Sequence, residues 1–518
     1  MKKTISIFLT MIFVFSLFGC GTNAPNVETT VDQKQESIMP TNPNELPPLP
    51  QAPNDGSIVF YYDDRITAAD LGGTEMSGLQ IVSQSVESMQ VGTTQPDENV
   101  LIFDEASGCY VAAGVGTAVV SVDGQEKLVR VMAAPISLFM ITGHSLGAGQ
   151  NGVKAQSVAS EPGQVYSSYK TSTLQTVTAD MGIGYSSAVR PQGIDACCAG
   201  GGGTIGEGSA LAWKWNQRTG EKVWVLNAAV GGSVIPEWHK NQLYYTPAVA
   251  MYRAAATVLK NEIAAGHYIL RNTAIVYHSA SNFSYKNVEY TDEIMEFWYD
   301  SMYNGFIEDL SVDITGDGEE ETVQAIGFLP TWNSNARGSY AFDKPINFYM
   351  ALSDVYPKAF MVAETMRNWC SIELIRENFP PVEYDTQSEP VSIPTTKEDM
   401  FVEDGVHYTQ VVYNAAGLEI AENLYAYFRS LPALETLTIY TSDGKIVEDE
   451  LIFKHVRDSV SLVAEANPCH ISNFTIELSD NLDLISPFTV KALKVGEGWI
   501  KISRNGDVIR TIRVEVLE

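Results

Sequence analysis

The chain has 518 residues, and its 63 acidic against 33 basic side chains give a formal charge of −30 with no long basic stretch. A surface of that sign repels phosphate and sulfate, so no nucleic acid is expected as a partner and strongly anionic polymers are disfavoured as substrates. Neutral ligands fit better, and a chain this long exceeds one ordinary core and should divide into two or three domains.

At the amino terminus Lys2 and Lys3 precede an apolar run over 5–18, which closes as Leu17-Phe18-Gly19-Cys20. The run is short for a membrane span, and with a small residue before the cysteine it resembles a bacterial lipoprotein signal over residues 1–20. That resemblance implies cleavage before Cys20 and a lipid on that cysteine, so that the chain works at the cell surface and meets the membrane only through its anchor. A plain secretory signal or an uncleaved anchor is the alternative, and it too places the rest outside the cytoplasm. Residues 21–56 carry seven prolines and almost no aliphatic clusters. Such a segment buries too little surface to fold and reads as a disordered tether.

From residue 57 the pattern turns to short strands. Val115-Gly116 opens an alternating run to Asp123-Gly124, and a second strand follows over 128–132, which is a hairpin signal. The end of the chain repeats it, with Val495-Gly496 leading to Asn505-Gly506 and a strand over 508–516. Residues 57–134 and 432–518 are therefore expected to be small β-sandwich domains, and their pattern resembles bacterial immunoglobulin-like (Ig-like) domains. As spacers they need no site; glycan binding is the alternative.

Between them, over 135–430, apolar strands at 138–142, 223–227, 273–278, 323–329 and 360–364 alternate with helical stretches near 208–218, 243–264, 291–309 and 344–355, before a last helix at 409–428. Alternation of this kind predicts an α/β fold with a doubly wound parallel sheet covered on both faces. Sites in such sheets collect at the carboxyl ends of strands. Ser145 follows the first strand, Gly231-Gly232-Ser233 follows the second, Asn282 comes shortly after the third, and Asp404 and His407 precede the last helix.

An Asp three residues before a His can orient that imidazole, and a Ser presented on a tight turn after a buried strand completes a nucleophilic triad. Four blocks occur in order: Gly143-His144-Ser145; Asn227-Ala-Ala-Val-Gly-Gly232-Ser-Val-Ile-Pro-Glu-Trp238; Ser279-Ala280-Ser281-Asn282; and Asp404-Gly-Val-His407. Together they resemble the SGNH hydrolases of the GDSL type, especially the carbohydrate-esterase and sialate O-acetylesterase branch. The resemblance implies a flavodoxin-like sheet, with Ser145 as nucleophile, His407 as base and Asp404 as its orienting carboxylate. It also implies an oxyanion hole from the backbone N–H groups of Ser145 and Gly232 and the side-chain amide of Asn282. His144 and Leu146 stand where that branch carries Gln and Asn around its Ser, and Ser279-Ala280 where it carries Gly-Glu. These departures point away from sialic acid and toward O-acetyl or other short acyl esters on sugars, so the expected partner is an acylated carbohydrate or glycoconjugate. His144, Trp238 and His239 are the candidates for the substrate pocket. Neither a cofactor nor a catalytic metal is called for.

Plainer uses exist for each residue. Ser145 can cap a helix, Asn282 can hold a turn, and Asp404 can cap the last helix with His407 on its surface, while His278, closing a strand, reads as a structural His. Gly143-His-Ser145-Leu-Gly147 also fits the nucleophile elbow of α/β-hydrolase lipases, although that fold places several strands before its elbow. A non-catalytic surface protein that only holds glycan is a third reading. Asp313, Thr315 and Asp317 are spaced like the start of a calcium loop, but Gln324 replaces its closing Glu and a solvated acidic turn is more economical. The glycine run 200–203 reads as an active-site loop rather than a phosphate cradle. Besides Cys20, the cysteines Cys109, Cys197, Cys198, Cys370 and Cys469 lack CxxC spacing and indicate no disulfide framework. Cys197-Cys198 reads as two packed thiols, ahead of a strained vicinal bridge or a soft metal site.

Overall fold

The computed structural model describes residues 53–105, 108–153, 156–158, 165–166, 206–278, 292–329, 356, 358–363, 398–402, 407–429, 436–441, 445–467, 474–486, 489–504 and 507–518. The signal, the tether up to residue 52, Cys20, Cys197-Cys198, the glycine run 200–203, Asn282, the helix expected at 344–355, Cys370, Asp404 and Cys469 lie outside the described residues. Residues 53–56 at the end of the expected tether are described, and Asp55 there pairs with Arg130 at 3.1 Å.

The first β-rich region contains β1 (Ile58–Tyr61), β2 (Arg65–Ile66), β3 (Leu79–Val86), β4 (Leu101–Asp104), β5 (Cys109–Ala112), β6 (Gly116–Val122) and β7 (Gln125–Met132). The expected hairpin is β6–β7, in which Val122 faces Gln125 across Asp123 and Gly124. Both turn residues have positive φ, 49° and 82°, as a two-residue turn between twisted strands requires. Every second residue of β6 is buried, so one face of the sheet β1-β7-β6-β3 meets the smaller sheet β2-β5-β4 around Ile66, Leu71, Val120 and Val129.

The central region contains β8 (Ala134–Gly143), β9 (Val165–Tyr166), α1 (Gly208–Thr219), β10 (Lys222–Asn227), α2 (Tyr245–Ala264), β11 (Tyr268–His278), α3 (Asp292–Asp309), β12 (Ala325–Leu329), β13 (Ala359–Met361) and α4 (Gln410–Phe428). Its strands form one parallel sheet in the order β13-β12-β11-β8-β10-β9. Leaving aside the edge strand β9, which has only two residues and which the sequence did not suggest, this is the doubly wound order 2-1-3-4-5. Strand β8 is buried along its whole length, because a central parallel strand meets helices on both faces. Alternate residues serve two cores. Leu138, Met140, Leu226, Ile275 and Phe328 pack with α2 and α3, while Phe139, Ile141, Val225, Val276 and Leu329 pack with α1 and α4.

The last region contains β14 (Thr436–Thr441), β15 (Glu450–Phe453), β16 (Ser459–Asn467), β17 (Phe474–Leu478), β18 (Leu482–Ser486), β19 (Thr489–Ala492), β20 (Gly496–Arg504) and β21 (Asp507–Val516). Its sheet β15-β21-β20-β17 has the same arrangement as β1-β7-β6-β3, with a first strand parallel to the second strand of a closing hairpin. The sequence repeat is thus also a repeat of sheet order. Met361 at the end of β13 joins the core of this region.

The first β-rich region docks at the amino edge of the central sheet. Tyr268 Oη donates to Asp63 at 2.6 Å, Lys222 Nζ pairs with Asp64 at 2.7 Å, and the His267 ring lies flat on Tyr62 at 4.1 Å. The far end of β8 is ~30 Å away along the strand, at ~3.3 Å per residue.

Candidate active site

The carboxyl end of β8 makes an abrupt turn. Gly143 has φ +115°, and a Cβ there would come within 2.1 Å of the His278 carbonyl oxygen, so only glycine fits. Gly147 is almost as confined, with His278 Cβ and Ala229 Cβ each 3.1 Å from where a Cβ would stand. Three cross-links hold the turn to the neighbouring strands. The Asn227 amide donates to the Gly147 carbonyl at 2.9 Å, Val230 N–H donates to the Gly143 carbonyl at 2.8 Å, and His144 N–H donates to the His278 carbonyl at 3.2 Å. Ser145 is the one residue from Gly143 to Gly149 that is not buried.

His407 arrives from the other end of the chain. A short antiparallel bridge joins Phe401 to Tyr408, with Val402 N–H donating to the His407 carbonyl at 2.9 Å and Thr409 N–H to the Met400 carbonyl at 2.9 Å. The bridge leads directly into α4. It leaves the half-buried imidazole with Nε2 2.9 Å from Ser145 Oγ, within reach for proton transfer.

Gly231 and Gly232 follow β10 on the exposed side of the same turn. A Cβ at Gly231 would approach Ser145 Cβ to 3.8 Å, so this backbone runs beside the serine. Gly232 has φ +78° and nothing within 4 Å of a Cβ position, so its backbone conformation, rather than crowding by the protein, calls for glycine. Among the described residues, no protein group accepts the N–H of Ser145 or of Gly232.

Two of the three expected pocket residues are corrected. Trp238 has no exposed surface, and its Nε1 donates at 2.9 Å to Ser233 Oγ, which in turn donates to the Gly143 carbonyl at 3.1 Å. It supports the turn from within the core, because its ring packs against Tyr277 and Tyr244. His144 is also buried, and its Nδ1 accepts the N–H of Leu146 at 3.2 Å. Burial, then the neighbouring imidazoles of His278 and His407, hold its pKa well below the ordinary His range. His239 is half-buried beside Phe297, and partial burial lowers its pKa.

His278, which closes β11, is buried against a partner that the sequence did not foresee. Its Nδ1 lies 2.8 Å from Oε1 of Glu207, and both side chains are fully buried. A single carboxylate just ahead of α1 carries no local signal that would single it out. In the acidic turn, Asp313 takes Lys260 Nζ at 2.7 Å and Gly316 N–H at 2.7 Å, while the Glu321 carboxylate accepts Ile314 N–H at 2.6 Å and Thr315 Oγ1 at 2.5 Å. Asp317 caps its own turn through Glu319 N–H at 2.8 Å. These carboxylates are engaged with the protein rather than gathered around one point.

No family model and no curated protein sequence matches the chain. Among solved structures it is similar to a carbohydrate acetylesterase from Xanthomonas citri, at 14% identity and a TM-score of 0.32 over 88% of this chain and 95% of that one. A lipase from a goat rumen metagenome gives 13% identity and a TM-score of 0.27 over 56% of this chain and 96% of that one. A protein from Arabidopsis thaliana gives 14% and 0.29 over 57% of this chain and 99% of its own. Overlaps at this level carry no weight for activity; the residues do.

Proposed function

We propose that the chain is a serine esterase of the SGNH type that removes O-acetyl or other short acyl groups from carbohydrates. The observation that carries this reading is the 2.9 Å approach of His407 Nε2 to Ser145 Oγ at the carboxyl edge of a doubly wound sheet. Ser145 Oγ adds to the ester carbonyl as its proton passes to His407 Nε2. The bond to the sugar oxygen then breaks, and that oxygen takes the proton from His407. Water, deprotonated by the same imidazole, adds to the acyl carbon, and the bond to Ser145 Oγ breaks as that oxygen takes the proton back from His407, releasing the free acid.

Asp404 is assigned to the Nδ1 side of His407, where a carboxylate selects the tautomer and stabilises the imidazolium. The N–H groups of Ser145 and Gly232 and the amide of Asn282 are assigned to the developing oxyanion. That no described protein group accepts the N–H at 145 or 232 supports that assignment. In the same reading the two β-rich regions are Ig-like spacers, and a lipid on Cys20 tethers the enzyme at the cell surface. Docking of the first region at the amino edge, away from Ser145, favours a spacer over a substrate-binding module. The lipase-like arrangement is disfavoured because β8 is the first strand of its sheet.

The test is hydrolysis of p-nitrophenyl acetate by the full chain and by Ser145→Ala and His407→Ala, with folding followed by circular dichroism. Activity in the parent alone supports the esterase. Absence from the parent, or equal rates in all three, removes the triad and moves the glycan-binding alternative forward.

A further inference from the structure

Behind the Ser145 turn lies a second carboxylate–imidazole pair that the mechanism above does not use. Glu207 and His278 are both fully buried, 2.8 Å apart. Burying a pair that can ionise seldom stabilises a fold more than apolar residues of the same volume would, so stability alone does not account for it.

Its position does. His278 closes β11, its carbonyl accepts the N–H of His144, and its Cβ bounds the space at Gly147. Glu207 stands at the N-cap of α1, where its carbonyl accepts Leu211 N–H at 2.9 Å. That carbonyl would lie 2.3 Å from a Cβ at Gly417, so Glu207 is pressed against α4, the helix that His407 leads into. The pair therefore joins the strand end that holds the Ser145 turn to the start of α1, where Glu207 packs against α4, the helix that follows His407. His278 Nε2 and Glu207 Oε2 have no hydrogen-bond partner among the described residues. Among the described residues, the one side-chain hydrogen bond that each makes is to the other, so Glu207 orients the His278 ring.

We infer that Glu207 and His278 are positioning residues, whose mutual hydrogen bond holds the Ser145 turn at the distance from which His407 can take its proton. The inference rests on the esterase reading. Displacement of a reacting group by ~1 Å can cost ~100-fold in rate, so a small retreat of this bond should be visible in kcat.

The test uses the full chain and three variants. Glu207→Asp keeps the charge but withdraws the oxygen by one methylene, Glu207→Leu removes the acceptor, and Glu207→Gln keeps an acceptor at Oε1. With p-nitrophenyl acetate, kcat is expected to fall ~10- to 100-fold in the Asp and Leu variants with KM changed less than ~3-fold, and to stay within ~3-fold of the parent in the Gln variant. Labelling of Ser145 by a fluorophosphonate, located by mass spectrometry, should slow in the same two variants. A folded Glu207→Asp variant that matches the parent in kcat and labelling would overturn the inference and leave the esterase reading standing. A parent that neither hydrolyses the ester nor labels at Ser145 would overturn the esterase reading itself. Should Glu207→Leu fail to fold, Glu207→Asp decides alone.

Discussion

Ser145 and His407 stand 262 positions apart in the chain, yet Nε2 of one lies 2.9 Å from Oγ of the other. Groups that act as a unit lose nearly everything when either is removed. Ser145→Ala and His407→Ala should each lower kcat by about 10⁴-fold or more, and the double variant should fall no further. Steady-state kinetics on the three proteins check this; additive losses would mean that the two residues act separately.

If Asn282 donates to the oxyanion, Asn282→Ala removes a contact made mainly in the transition state. Loss of one such donor costs about 3 to 4 kcal/mol, or 100- to 1,000-fold in kcat, with little change in KM. A rise in KM at constant kcat would reassign Asn282 to ground-state binding.

Gly143→Ala places a methyl group where the His278 carbonyl oxygen is only 2.1 Å away, on a backbone with φ +115°. A clash with backbone at a buried strand end has no flexible side chain to absorb it. Destabilisation of more than about 4 kcal/mol is expected, seen as a large fall in melting temperature or loss of soluble protein.

Trp238→Phe separates a core role from a sugar platform. The variant keeps most of the buried ring and loses the bond to Ser233 Oγ, for a stability loss of about 1 to 2 kcal/mol. KM for an acetylated sugar should be unchanged, because no part of the ring is exposed. Weaker substrate binding at full stability would restore the platform.

His267 gives the docking of the first β-rich region a pH dependence. Its ring nitrogens lie 2.7 Å from Glu262 and 2.8 Å from Asp97. Burial works to lower its pKa, but the two carboxylates outweigh it and the net shift is upward. A group with a raised folded pKa contributes stability fully below its unfolded value of about 6.5 and loses it as pH rises through the folded value. Melting temperatures of the parent and His267→Gln should therefore differ most near pH 6 and converge as pH is raised toward 9. A constant gap would assign the contribution of His267 to its stacking on Tyr62 alone.

Local pattern alone determined the type and order of the main central strands and helices and the closing hairpin of each flanking region, but not the two-residue strand β9 or the shorter flanking strands. The unbroken apolar stretch ending at Gly143 could only be a strand covered on both faces, Asp123-Gly124 could only be a tight hairpin turn, and the echo of that hairpin near Asn505-Gly506 announced a matching sheet. It also marked Ser145 and His407, because a serine after a strand and glycine, and an Asp-x-x-His step before a helix, are short-range signals. Tertiary structure alone decided which of the marked residues meet. It turned Trp238 and His144 inward, since a residue beside a glycine turn reads alike whether its ring faces solvent or core. It paired Glu207 with His278 and docked the first β-rich region through His267 at the edge away from Ser145. Those pairings join groups from about 70 to 260 positions apart. Periodicity reports only which face of one element is apolar; which faces then come together is set by packing across the whole sheet.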